Sequence, residues 1–137
     1  MTDLCLRSKA VHGYDPDFIA ACRHELAVSA SSVARGPAQV ALAHQGLPVG
    51  YCQVIADRRE CWLEALFVDP SIIGTGVGRR LFLWSVEAAR ALGAARMEIA
   101  SDPGAAAFYR AMGAVDAGEV ASGSIPGRKL PRLLKAV

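Results

Sequence analysis

The chain has 137 residues, 53% of them hydrophobic and 20% charged, with 15 basic side chains against 13 acidic ones and a net charge of +2. That length predicts a single domain, 1–137, with a core of its own, and the apolar share excludes a disordered chain. So small a charge, with basic residues scattered in pairs such as Arg58-Arg59 and Arg79-Arg80, excludes a nucleic-acid groove and leaves only a local anion pocket.

Residues 4–8 alternate weakly from Leu4 through Leu6 and predict a first strand. The start Met1-Thr2-Asp3, followed by Arg7 and Lys9, lacks the basic-then-apolar order of a secretory leader. No apolar run approaches the roughly 18 residues of a membrane span, so the expectation is a cytoplasmic protein with no membrane partner. Asp15-Pro16-Asp17 predicts a helix start, with an acid at the N-cap, proline at the first helical position and a second acid at the positive end of the dipole. That helix runs to about Val28. Residues 29–37, broken by Gly36-Pro37, predict an irregular or briefly helical connection of the kind that lines substrate sites.

Residues 39–44 and 49–55 flank Gln45-Gly46-Leu47-Pro48 and predict a hairpin. After a polar turn at 56–60, the nearly continuous apolar stretch from Trp62 to Val68 predicts a central strand that Asp69-Pro70 ends. Beyond the glycines at 74, 76 and 78, Leu81, Phe82, Ser85, Val86, Ala88 or Ala89, and Leu92 recur at helical spacing, with Gly93 as a left-handed cap. A strand at 96–100, a short helix from Gly104 to Met112 closed by Gly113, and strands at 115–121 and 129–137 complete the chain.

Cys5, Cys22, Cys52 and Cys61 form no C-x-x-C pair, which predicts reduced core residues and no metal site. His12, His24 and His44 share no ligand spacing and read as surface or partly buried residues; Trp62 and Trp84 read as core or interface, and Ser85 lacks a nucleophile elbow.

The chemistry concentrates at Gly74-Thr75-Gly76-Val77-Gly78-Arg79. Alternate glycines allow a tight turn whose N–H groups converge where a helix N-terminus adds partial positive charge, a cradle for phosphate. No Lys-Ser or Lys-Thr follows, which excludes a Walker loop, and Arg79 or Leu81 stands where a dinucleotide fingerprint needs its third glycine. Glu64, alone in the apolar central strand, shares a face with Leu66 and Val68 on a period of two and is the candidate general base. An ion pair with an arginine, or a water chain to solvent, are the alternatives for that position.

The stretch from Leu66 through Val68-Asp69-Pro70 and the glycines to Arg79-Arg80-Leu81 resembles motif A of the GNAT superfamily of N-acetyltransferases. A second segment, from Ala100 through Phe108-Tyr109 to Gly113-Ala114, is similar to motif B, and Gly127 to Leu133 looks like the last hairpin strand of small members. The resemblance covers roughly 49–134 well. It implies an α/β (α+β) acyl-CoA N-acyltransferase fold: a central mixed, mostly antiparallel sheet of six or seven strands flanked by three or four helices, split between the strand ending at Val68 and the one ending at Ser101. It also implies direct transfer of acetyl from acetyl-coenzyme A to a primary amine, with no acyl-enzyme. The alternative is a member that keeps the fold and the coenzyme A site without turnover.

Carried onto this chain, the resemblance places the pyrophosphate on Ile73, Gly74, Thr75, Gly76, Val77, Gly78 and Arg79. It places the pantetheine arm along the backbone of Phe67 and Val68 and near Gly104 and Phe108, and makes Tyr109 the general acid. Two departures stand out: Ile73 replaces the family's usual Arg or Gln, and Gly104 brings no side chain to the arm. The acceptor, a small-molecule or peptide amine, is not specified by the wall at 17–36, which carries both Arg23 and Glu25. So short a wall leaves either an exposed cleft or one completed by a second subunit in a homodimer.

Overall fold

A computed structural model describes residues 4, 7, 30–58, 60–122 and 125–137. A short helix α1 (Ala30–Val33) leads into β1 (Ala38–Leu42), β2 (Pro48–Asp57) and β3 (Glu60–Val68); a 3-10 turn (Pro70–Ile72) then precedes α2 (Val77–Ala91). Next come β4 (Arg96–Ala100), a second 3-10 turn (Pro103–Ala105), α3 (Ala106–Ala111), β5 (Val115–Ala121) and β6 (Lys129–Ala136). The strands form one sheet in the order β1-β2-β3-β4-β6-β5. All neighbours are antiparallel except β3 and β4. This is the mixed, mostly antiparallel α/β architecture that the sequence predicts.

Helix α2 forms because Leu81, Phe82, Ser85, Val86 and Ala89 fall on one face at helical spacing, and all five are buried. Gly93, at φ 86°, ends it in the left-handed conformation. Its apolar face lies on β2, β3 and β4, where Cys52, Val54, Cys61, Leu63, Met97 and Ile99 complete the main core with Leu133 and Tyr109. Gly50 lets the helix start sit directly on β2, since a Cβ there would come within 2.7 Å of the Leu81 side chain. The opposite face of the sheet carries a smaller cluster, Leu4 and Tyr51 with Ala38, Ala65 and Phe67.

Where the two strands of the β2–β3 hairpin meet, Gln53 pairs with Ala65 but Val54 pairs with Leu63, so Glu64 is an extra residue in β3. Such a bulge shifts the side-chain alternation by one and bends the strand. Before it, Cys61 and Leu63 face α2; after it, Leu66 and Val68 take over that face, while Ala65 and Phe67 join Tyr51 on the other. Glu64 therefore does not share a face with Leu66 and Val68, because the strict period of two on which that reading rests is broken at Glu64 itself. Trp62 opposite Glu98 is the one registered pair between β3 and β4, so these parallel strands separate towards their carboxyl ends.

Two other expectations change. Leu4 and Arg7 have helical backbone rather than the extended conformation predicted for a first strand, a stretch too short for alternation to discriminate. The β2–β3 turn is tighter than 56–60, with β2 reaching Asp57, β3 starting at Glu60 and Arg58 at φ 57°. The connection before β1 is briefly helical as expected, clamped by the Gln53 amide, which donates to the carbonyls of Ser32 (2.8 Å), Val33 (3.2 Å) and Gly36 (3.3 Å). The helix predicted from Asp15 to Val28, together with Cys5, Cys22, His12 and His24, lies outside the described residues.

Cys52 is fully buried, and burial pushes its thiol up from 9.0 to about 12 against a smaller opposing effect of the Ser85 hydroxyl. A folded-state value above the unfolded one contributes stability below pH 9.0 that is lost as pH rises towards about 12. Urea unfolding followed from pH 8 upward is expected to show falling stability beyond pH 9, with a shallower fall in Cys52→Ala. An identical slope in the variant would contradict this assignment.

Candidate active site

Beyond the Trp62–Glu98 pair the separating strands frame two adjoining recesses. The larger, about 360 Å³, is lined by Leu66, Val68, Ile72, Ile73, Gly74, Gly76, Gly78, Arg79, Gly104, Ala105, Phe108 and Tyr109. The smaller, about 80 Å³, is lined by Leu63 to Phe67 on β3 and by Ile99, Ala100, Asp102, Ala105 and Tyr109. Leu66, Ala105 and Tyr109 form the wall common to both.

Gly74 at φ 87° and Gly76 at φ 90° hold the loop in a conformation that costs an L-residue roughly 1–2 kcal/mol. Gly76 is the N-cap of α2 and makes no side-chain cap bond, and the first turn of α2 carries no acid. Arg79 and Arg80 stand there instead, against the dipole preference. A helix start with uncapped N–H groups, no acid and an arginine in the cleft is built for an anion. Gly78 keeps its mouth open: a Cβ there would sit 3.5 Å from Val68 Cγ2 and 3.8 Å from Phe108 Cζ, in the cleft between them.

The loop is anchored from behind. Asp69 caps the first 3-10 turn, accepting from the Ser71 N–H at 3.0 Å and the Ser71 hydroxyl at 2.8 Å, and pairs with Arg7 at 2.8 Å. Those Ser71 bonds, with Arg7 behind them, hold the Asp69 carboxyl down from 3.8 to about 2. Thr75 closes the loop with a hydroxyl bond to the Ile72 carbonyl at 2.6 Å.

Of the residues singled out in the sequence, Val68, Ile73, Gly74, Gly76, Gly78, Arg79, Gly104 and Phe108 line the large cleft, and Tyr109 borders both recesses. Phe67 lines the small recess. Thr75 and Val77 do not line the cleft with side chains: Thr75 is bonded within its own turn, and Val77 faces the groove beside β1 with Arg80 and Trp84. Asp69 N–H donates to Val49 at 2.8 Å across the hairpin, so the period of two turns the Val68 N–H towards the opening.

Glu64 lines the small recess with its carboxylate held by two donors, the Trp62 indole N–H at 2.7 Å and Arg35 at 3.4 Å. The arginine pairing left open by the sequence is thus present. Tyr109 is 7% exposed and stacked edge-on and tilted among Phe82 and Phe108, with ring centroids at 5.8 and 5.3 Å. Burial, with smaller contributions from the neighbouring Cys52 and Asp102 side chains, pushes its phenol well above the ordinary value, so it stays protonated.

Asp102, Ile72, Leu66 and Ala105 also line these recesses, and the sequence did not single them out. The signal for Asp102 was a second strand ending in Asp-Pro, in parallel with Asp69-Pro70.

A sheet opened between two parallel strands, with a glycine loop and helix start on one bank and a buried phenol on the other, defines an N-acyltransferase type of fold. The chain belongs to the acetyltransferase (GNAT) family, whose model matches residues 11–114. It is similar to the GCN5-related N-acetyltransferase of Rhodopseudomonas palustris, at 22% identity and TM-score 0.78 over 99% of this chain and 87% of that one. It is likewise similar to the PaiA N-acetyltransferase of Thermoplasma acidophilum, solved with coenzyme A (14% identity, TM-score 0.76, 99% and 90% covered). A third likeness is to a phosphinothricin acetyltransferase of Sinorhizobium meliloti, solved with acetyl-coenzyme A (23%, 0.65, 84% and 69%). No curated protein matches the chain.

The depressed Asp69 value contributes stability that is present above pH 3.8 and lost as pH falls through about 2. Unfolding titrations from pH 6 down to 2 should show Asp69→Ala less stable than the parent at pH 6 and closer to it at pH 2. A constant difference across that range would mean that the carboxylate does not anchor the loop.

Proposed function

We propose that the protein transfers acetyl from acetyl-coenzyme A directly to the nitrogen of a primary amine. The observation that carries this reading is the place of Tyr109: a protonated phenol on the wall between a phosphate-type cradle and a small polar recess.

The fit of the donor rests on the chain's own geometry. The uncapped start of α2, with Arg79, suits a pyrophosphate, the gap that a Cβ on Gly78 would fill leaves passage for a narrow extended arm, and Leu66, Val68 and Phe108 supply apolar walls. An arm lying between separated strands takes the place of a missing strand, the mode of β-strand addition. Ile73 is 55% exposed and contributes no charge, so Arg79 and the loop N–H groups carry the anion binding. Bound there, acetyl-coenzyme A supplies an activated acetyl thioester.

The carboxyl end of β3, at Phe67 and Val68, borders the opening, and a backbone N–H there stabilises negative charge on the acetyl oxygen in this reading. Overall one C–N bond forms and one C–S bond breaks, and an alkylammonium acceptor gives up two protons. Glu64, on the recess wall, takes one and relays it to solvent, and Tyr109 Oη donates one to the departing sulfur and is reprotonated by the other. Direct transfer is supported by the described cysteines. Cys52 and Cys61 are buried and their thiols pushed up by burial, so neither is a thiolate nucleophile at neutral pH.

Initial rates of coenzyme A release with a panel of primary amines test the reading. Tyr109→Phe keeps the ring and its contacts, so kcat is expected to fall about a hundredfold, within the usual range for a lost general acid, while KM for acetyl-coenzyme A stays within about twofold. An unchanged kcat would remove Tyr109 from the chemistry.

A further inference from the structure

Arg35 and Glu64 are brought to one place by the same two residues of β2. Gln53 pairs with Ala65 and Val54 with Leu63, so these two straddle the bulge at Glu64. They also pin the segment that carries Arg35: the buried Gln53 amide donates to the carbonyls of Ser32, Val33 and Gly36, and the Val54 N–H donates to the carbonyl of Pro37 at 3.0 Å. Gly36 lies so close on β2 that a Cβ there would come within 2.2 Å of the Val54 carbonyl oxygen. The backbone on both sides of Arg35 is therefore fixed, while its side chain, 54% exposed, reaches out to the Glu64 carboxylate.

The bond that Arg35 makes is weak for so firm a mount. It is a single contact of 3.4 Å between partly exposed side chains, the kind of ion pair that contributes little to stability. It also forgoes the two parallel bonds that a guanidinium fork can make with a carboxylate. Glu64 does not depend on it, because its other oxygen accepts from the Trp62 indole N–H at 2.7 Å. A cation and an anion, each held from behind and joined by a contact that opens at little cost, thus meet at the carboxylate of a residue lining the small recess. Charge decides what can open that contact. A plain alkylammonium taking the Glu64 oxygen would face the displaced guanidinium as a like charge. A molecule carrying both an ammonium and a carboxylate satisfies both sides, its ammonium on Glu64 and its carboxylate on the fork of Arg35.

We propose that Arg35 binds the carboxylate of the acceptor and that the acceptor is an amino acid, whose ammonium replaces the guanidinium at Glu64. The inference rests on the acetyl-transfer reading above, in which Glu64 takes a proton from that ammonium, and it adds no bond change to that reaction. Arg35 passes from one carboxylate to another, so its charge stays paired throughout. It selects the acceptor by its negative end and orients it, and it leaves donor binding to the glycine loop.

Initial rates on the protein amino acids, each beside its own amide, with butylamine as the plain cation, test this. The parent is expected to turn over at least one amino acid with kcat/KM about tenfold or more above that of its amide, the difference expected when a hydrogen bond between charged groups is lost. Arg35→Ala removes an exposed side chain and leaves the Gln53 clamp intact, so its thermal midpoint should match the parent. Its kcat/KM for that amino acid should fall to about the level of the amide, with the amide kinetics and KM for acetyl-coenzyme A unchanged. Arg35→Lys should recover part of the loss through its charge, though not the fork geometry. An equal fall for amino acid and amide, or none for either, would overturn the role of Arg35. Turnover of butylamine or the amides by the parent at rates equal to or above those of the amino acids would overturn the substrate class while upholding acetyl transfer. Turnover of no amine at all would overturn the transfer reading with it.

Discussion

A single extra residue in β3 governs the molecule. With Glu64 inserted between Leu63 and Ala65, β3 bends away from β4 after their one registered pair at Trp62 and Glu98. A closed sheet would satisfy its backbone groups internally, whereas strands that separate leave N–H and C=O groups directed into a gap. The recesses, the shared wall at Tyr109 and the exposure of the loop all follow from that separation. The same bulge hands the α2-facing positions from Leu63 to Leu66 and Val68, so the apolar lining of the cleft continues the main core.

Local rules are broken where the site lies and kept where it does not. The far end of α2 follows ordinary preference, with Arg90 in the last turn and a left-handed Gly93 beyond. Its start has neither cap nor acid, but two arginines and two left-handed glycines. Such a start lacks the favourable charge that an acid or a bound anion would supply, and the Asp69 cap with its Ser71 and Arg7 partners holds the preceding turn in place. Departures from local consistency of this kind mark functional positions.

The parts legible in the sequence are those with a backbone signature. Positive φ leaves glycines at 74 and 76, helical burial leaves the Leu81-to-Ala89 spacing, and Asp69-Pro70 marks the end of β3. The bulge left no such mark, because a bulged position accepts many residue types, and so Glu64 was given the wrong face. Nor does sequence separate Asp102 from Asp69, since the choice between capping a turn and lining a recess depends on neighbours brought together by the sheet. The Gln53 amide that pins α1 is a contact across 17 to 21 positions, beyond the reach of local patterns. The short alternation at Leu4 to Arg7 could not outweigh the tertiary context that makes those two residues helical.

The central claim is that the glycine loop at the start of α2 holds the pyrophosphate of acetyl-coenzyme A. Isothermal titration of the protein with acetyl-coenzyme A, with NAD as the control ligand and Gly76→Asp as the altered loop, tests it most directly. The account predicts micromolar binding of acetyl-coenzyme A by the parent, none of NAD, and loss of binding in the variant, where an added carboxylate both strains the φ 90° position and repels phosphate. Binding of equal strength in Gly76→Asp, or no binding by the parent, would contradict it.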